Sequence, residues 1–138
     1  MVKTMSKILG IDWGEKRTGI AISDELQILA RPFKTINAKD LKEIEKIIND
    51  EQVEKIIVGR PRNMDGTFGP QVDKVFQFVS RLEKIVKIPI EYEDETNTTN
   101  IVKGILVKEG INPQKNKDLI NKKAAQLILQ GYLDEKRT

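Results

Sequence analysis

Histidine and cysteine are both absent from this 138-residue chain. Without cysteine there are no disulfides and no thiolate zinc sites. Without histidine there is no Ser-His-Asp or Cys-His triad and no imidazole general base. Any catalysis is therefore left to carboxylates, lysines and hydroxyls. No apolar run is long enough to span a bilayer, and Met1-Val2-Lys3-Thr4-Met5-Ser6 leads into no signal-type apolar core. The expectation is a cytoplasmic protein without membrane association, and the missing cysteine agrees with a reducing compartment.

The length suits one domain with a substantial core. A net charge of +3 and a pI near 9.0 agree with a polyanionic partner without requiring one. The most informative stretch is Ile8 to Asp24, ILGIDWGEKRTGIAISD. Two apolar runs, 8–11 and 19–22, flank a Gly14-Glu15-Lys16-Arg17 turn, which predicts a β-hairpin. Asp12 sits where the first strand runs out of apolar residues. A carboxylate at the end of a buried strand is unfavourable unless a donor or a cation meets it. Asp12 is thus either satisfied by backbone donors at the turn or holds a metal.

Further along, Ala30 to Ile36 reads as a strand whose early proline suits a sheet edge. Asn37 or Asp40 can cap a helix over 39–50, with Leu41, Ile44, Ile47 and Ile48 on one face. Residues 55–58, KIIV, read as a short buried strand paired in parallel, followed by a loop over 59–69. Pro70 opens a helix reaching about Val86, with Val72, Val75, Phe76, Val79, Leu82 and Ile85 inward. Residues 89–93 form another strand. Thr96 to Thr99 cap a helix ending at Gly110. A polar linker over 111–117 leads to a last helix over 118–135, its apolar positions including Leu119, Ala124, Leu127, Ile128, Tyr132 and Leu133. The order βββαβαβαα predicts a single α/β domain with a mixed five-stranded sheet flanked by helices.

Four ordered blocks resemble the YqgF family: LGIDWGEKRTGIAISD, IIVGRPRNMDGTFGPQ, the DE and TT within EDETNTT at 93–99, and INKKAAQLILQGYLD. Actin-like ATPases and sugar kinases open with a similar hairpin, but they need a second domain that 138 residues leave no room for. The resemblance covers nearly the whole chain and implies a ribonuclease-H-like fold over residues 1–138. Its members are described as Holliday junction resolvases and as nucleases maturing pre-16S ribosomal RNA. It implies an active site of three acids: one on the first strand, one after the fourth core strand and one on the last helix. Two carry over, Asp12 and Glu95, with Asp94 the neighbour of the second. At the third position the family has Asp in an ID-x-x-AA context, and this chain has Asn121. The family also follows DE with Arg-Leu, where this chain has Thr96-Asn97.

Each candidate has a plainer reading beside it. Asp12 could cap the turn, and Glu95 could favour the following helix N-terminus. Asn121 could be an ordinary helix-surface residue or a neutral ligand through its amide oxygen. Asp118, one turn earlier, either replaces the missing acid or caps the helix. Arg60 and Arg62, on a proline-stiffened segment after a parallel strand, are either solvated or fork onto phosphates. Arg17 and Lys16 on the hairpin turn carry the same two readings. Lysines 115, 117, 122 and 123 form a solvated face or a backbone-tracking patch. Trp13 is as suited to packing as to stacking on a base, and Met64 and Phe68 read as loop anchors.

Together these imply a metal-dependent nuclease. Asp12 and Glu95 would hold Mg2+ or Mn2+, with Asn121 or Asp118 completing the site and Arg17, Arg60 and Arg62 on phosphates. The resemblance alone implies the substrate, structured RNA, a pre-16S rRNA processed at its 5′ end; the expectation is a monomer or weak homodimer. The rivals are a Holliday junction resolvase, which needs two active sites to cut branched DNA symmetrically, and a binding protein of the same fold with weakened catalysis.

Overall fold

A computed structural model describes residues 6–137. Met1 to Met5, most of the segment read above as lacking a signal-type core, lie outside the described residues. Five strands form one mixed sheet in the order β3-β2-β1-β4-β5. They are β1 (Lys7–Asp12), β2 (Arg17–Ser23), β3 (Ala30–Asn37), β4 (Val53–Pro61) and β5 (Ile90–Glu95). The helices are α1 (Leu41–Glu51), α2 (Gln71–Glu83), α3 (Thr98–Lys108) and α4 (Lys117–Arg137), with a short 3-10 turn at Pro113–Lys115. β1, β2 and β3 are antiparallel neighbours, while β4 and β5 join β1 in parallel. Among the described residues no helix is long and apolar enough to cross a membrane.

The two faces of the sheet bury different things. Odd residues of β1, Leu9 and Ile11, join Ile20, Ile22, Ile56, Val58 and the α1 and α2 stripes in the larger core. Even residues face α4, where Ile8, Ala21 and Ile57 meet Ala125, Ile128, Leu129 and Leu133. α3 closes on α4 through Val102, Leu106, Ile120 and Ala124. Burying a side chain of this size contributes about 2 kcal/mol, so both faces are needed to hold the central strands.

α4 reaches the sheet because three positions beneath it lack side chains. A Cβ on Gly10 would lie 2.7 Å from the Leu129 Cβ, and one on Gly59 would lie 2.6 Å from the Ile128 Cδ1. A Cβ on Gly19 would overlap the backbone carbonyl of Asn121.

Several local expectations change. The segment 59–69 is not wholly loop: β4 continues to Pro61, and Arg62 bridges Phe68. Proline is tolerated there because it ends the strand. On α2 the fully buried ring is Phe78, whereas Phe76 and Ile85 are substantially exposed. Trp13 packs beside Phe78, with ring centroids 6.3 Å apart. Met64 is 84% exposed and anchors nothing, and Leu127 lies at the surface of α4. Asp40 caps α1, accepting from the Glu43 N–H at 3.2 Å. At α3 the cap is Asn97, in the left-handed region with φ 60° and no side-chain bond, rather than a threonine hydroxyl. Gly110, φ 78°, follows the helix end as the left-handed residue that closes it.

Candidate active site

Asp12 is the last residue of β1 and pairs with Gly19 of β2. Directly paired antiparallel residues share a face, and Gly19 lies under Asn121 of α4. Asp12 therefore points to the α4 side. Glu95 is the last residue of β5 and pairs with Pro61. Its Cδ would be 3.6 Å from a Cβ on Gly59, which again places it on the α4 side. The two acids stand at strand ends that are not adjacent, because β4 runs between β1 and β5. Gly59 on that strand carries no side chain, and the Glu95 carboxyl lies close to its position.

Burial pushes the Asp12 carboxyl up to about 8, and the charge of Glu95 adds to the shift. Burial also raises Glu95, against a lowering hydrogen bond from the Thr98 hydroxyl. One oxygen of Glu95, Oε2, is buried without a hydrogen-bond partner. Two half-buried carboxyls repelling each other, one with an orphaned oxygen, are the arrangement a cation would relieve.

The sequence does not single out a third carboxyl on this face. Glu93 pairs with Gly59 and is pushed up to about 7 by burial, then by a hydrogen bond with Glu135 and the charges of Glu135 and Asp94. Its Oε2 would be 3.4 Å from a Cβ on Gly131 of α4. The two-residue period of β5 relates Glu93 to Glu95. Its burial, however, depends on where α4 lands 38 positions later. Thr98 was likewise legible only as a helix-capping residue.

Asn121 stands at the start of α4, its carbonyl directly over Gly19, one strand from Asp12. Asp118 is turned elsewhere: its carboxylate takes the Arg17 guanidinium at 2.6 Å, and its carbonyl accepts from the Thr35 hydroxyl at 2.6 Å. The structure thus puts Asp12 and Glu95 on the α4 side of the sheet, within electrostatic reach of each other, sets the Asn121 carbonyl over the strand next to Asp12 and engages Asp118 with Arg17. Among the described residues no group of three or more acids forms a ready cation site.

Arg60 and Arg62 belong to the other face. Their Nε atoms meet the two oxygens of Asp94 at 2.6 and 2.8 Å, and the Arg60 hydrogen bond contributes most to holding that carboxyl low. Both guanidiniums lie over Phe68, at 5.0 and 4.3 Å from its centroid. The Arg62 N–H also donates to the Glu95 carbonyl at 2.8 Å. This clasp ties the 62–69 loop to the strand end that carries Glu95. Asp94→Ala is expected to cost about 1 kcal/mol, the range of partly exposed ion pairs. A chemical denaturation curve checks it, and an unchanged midpoint would show that the clasp contributes nothing.

Residues 6–135 match the RuvX family, described as "Holliday junction resolvase". A "Putative pre-16S rRNA nuclease" of Thermoanaerobacter pseudethanolicus is 45% identical over 136 residues, covering 95% of this chain and 98% of that protein. Its namesake in Trichormus variabilis is 41% identical over 134 residues, covering 94% and 89%. The fold is similar to that of Thermus thermophilus RuvC in complex with a Holliday junction substrate, at a TM-score of 0.54 and 15% identity over 96% of both chains. It is also similar to a fowlpox virus resolvase bound to Holliday junction DNA, at a TM-score of 0.52 and 11% identity, covering 96% of this chain and 99% of that one. With a family match across almost its whole length and close relatives of equal size, the chain belongs to the RuvX/YqgF family, on a RuvC-like ribonuclease H fold.

Proposed function

We propose that this protein is a metal-dependent nuclease of the cytoplasm that hydrolyses phosphodiester bonds in structured RNA, with the 5′ end of pre-16S rRNA as its substrate. The observation that carries the chemistry is the placement of Asp12 and Glu95 at strand ends on the α4 side, both raised by burial and Asp12 further by the charge of Glu95. The substrate rests on the names of the relatives.

The donor set fits a hard cation. Asp12 and Glu95 would hold Mg2+ or Mn2+, and the Asn121 amide oxygen would be a neutral third donor. The ion, when bound, supplies Lewis-acid polarisation of the phosphate and a more acidic water. The chain's own part is positioning. Thr98 orients Glu95 through its hydroxyl, and the Arg62 N–H fixes the Glu95 backbone. Ile128 presses on Gly59, on the strand that runs between the two acids. Arg17, Arg60 and Arg62 are the phosphate contacts of this reading, although each already shares its guanidinium with an aspartate. Arg60→Ala and Arg62→Ala are expected to weaken RNA binding without sequence preference and to lower its salt dependence. Unchanged affinity and salt slope would confine them to the clasp.

The deciding experiment is cleavage of a pre-16S 5′-leader RNA and a four-way DNA junction by pure protein, titrated with Mg2+ and with Mn2+. Cleavage of RNA alone supports the proposal. Symmetric junction cleavage would favour the resolvase reading, for which the family description and the fold likeness speak. No metal-dependent cleavage of either would leave a binding protein. Asn121→Asp adds charge beside the pair and is expected to lower the half-saturating Mg2+ concentration about tenfold. Asp118→Ala, at a residue occupied with Arg17, should leave it unmoved. The opposite pattern would move the third ligand to Asp118.

A further inference from the structure

A cavity of about 1080 Å³ opens beside Asn121, between the β1–β2 turn, α3, the 3-10 turn and the start of α4. Its cations come from three separate elements: Lys16 and Arg17 from the turn, Lys103 from α3 and Lys117 from α4. Its only acid among the described residues, Glu15, is bound by Lys74 of α2. Arg17 is paired with Asp118, but Lys16, Lys103 and Lys117 form no ion pair among the described residues. A second cavity of about 560 Å³ shares Arg17 and Lys117 and adds Lys115 and Lys122. Unpaired ammonium groups converging on one concavity repel each other and raise the local potential for an anion. Because they are spread along a groove from separate elements, the matching ligand carries several negative charges in a row.

We infer that this groove is a backbone track: it holds a nucleic-acid strand flanking the scissile bond through its phosphates and reads no bases. Among the described residues no aromatic side chain lines either cavity, so they offer no platform for base stacking there. Asn121 lines the cavity, its carbonyl lies over Gly19, and Gly19 pairs with Asp12, so a strand lying in the groove passes one β-strand away from Asp12. The position beside the scissile bond rests on the nuclease reading, whereas the binding does not.

The test is fluorescence anisotropy with labelled 12-nucleotide RNAs, one U-only and one of mixed sequence, in EDTA over a range of salt. Wild type is compared with a Lys16→Gln, Lys103→Gln, Lys117→Gln triple variant. A second triple variant, Lys42→Gln, Lys84→Gln, Lys87→Gln, removes equal charge from exposed positions elsewhere. Both variants are checked by thermal melts. The groove variant is expected to bind at least about tenfold more weakly near 0.1 M salt, with a log–log salt slope shallower by about two, at about 0.7 per lost contact for single strands. The second variant should stay within about twofold of wild type, and the two RNAs should bind alike. Equal losses in both variants, an unaffected groove variant, or a strong preference between the RNAs would each overturn the track. Normal binding by a wild type that cleaves nothing would overturn the nuclease reading and leave the track standing.

Discussion

Asp12→Asn is expected to abolish cation-induced stabilisation, to reduce cleavage by at least about a hundredfold, and to make the ion-free protein more stable. The gain follows from the sign of the shift. The carboxyl has an ordinary value of 3.8 and is pushed up to about 8 by burial and by Glu95. Between those values the folded chain holds a proton that the unfolded chain has released. Stability therefore falls as pH rises through that window and stays low above it. An asparagine has nothing to titrate, so the variant's stability should be flatter from pH 5 to pH 8. The difference near pH 8 should be on the order of a few kcal/mol, and a 1 kcal/mol gain raises Tm by about 3 °C for a chain of this size. Thermal melts in EDTA across that range, repeated with added Mg2+, check both halves. Parallel curves for the two proteins, or equal Mg2+ stabilisation, would remove Asp12 from the site.

Gly19→Ala is the second large effect, and it is steric. The added methyl would overlap the Asn121 carbonyl and sit 2.9 Å from the Lys122 nitrogen, both backbone atoms with no rotamer to escape into. The expected loss is about 3 kcal/mol or more, the upper range for overpacking. Gly104→Ala is the counterpart. Nothing lies within 4 Å of a Cβ there, on an exposed turn of α3, so the alanine should stabilise by about 0.5–1 kcal/mol. Equilibrium denaturation of both variants checks the contrast. A harmless Gly19→Ala would mean that α4 rides higher on the sheet than described.

The contrast also shows what could be read in advance. The hairpin and the strand-end place of Asp12 were legible because alternation and turn chemistry act within about a dozen residues. The five strands and the mixed sheet followed from the same local signals. Phe76 and Phe78 were not separable: both keep helical spacing with Val72, Val75, Val79 and Leu82. Only the seating of α2 turns Phe78 toward Trp13 and Phe76 toward Tyr92. Gly59 and Pro61 read as loop punctuation, yet the parallel ladder with β5 carries the strand through them. Glu95 entered through family resemblance, and its electrostatic coupling to Asp12 comes from a fold that puts one strand between them. Asp118 and Asn121 lie a single helical turn apart, and spacing alone does not say which of them faces Arg17.

The glycines beneath α4 have a bearing on how this site can change over evolutionary time. A helix whose backbone touches the sheet cannot slide or roll to compensate for a new side chain, so position 121 stays where it is whatever residue occupies it. Asparagine and aspartate codons differ by one base. If residue 121 is the third donor of the proposed site, its charge is therefore open to a single point mutation that leaves the scaffold untouched, and drift or selection at that one codon would set how strongly such a site holds an ion.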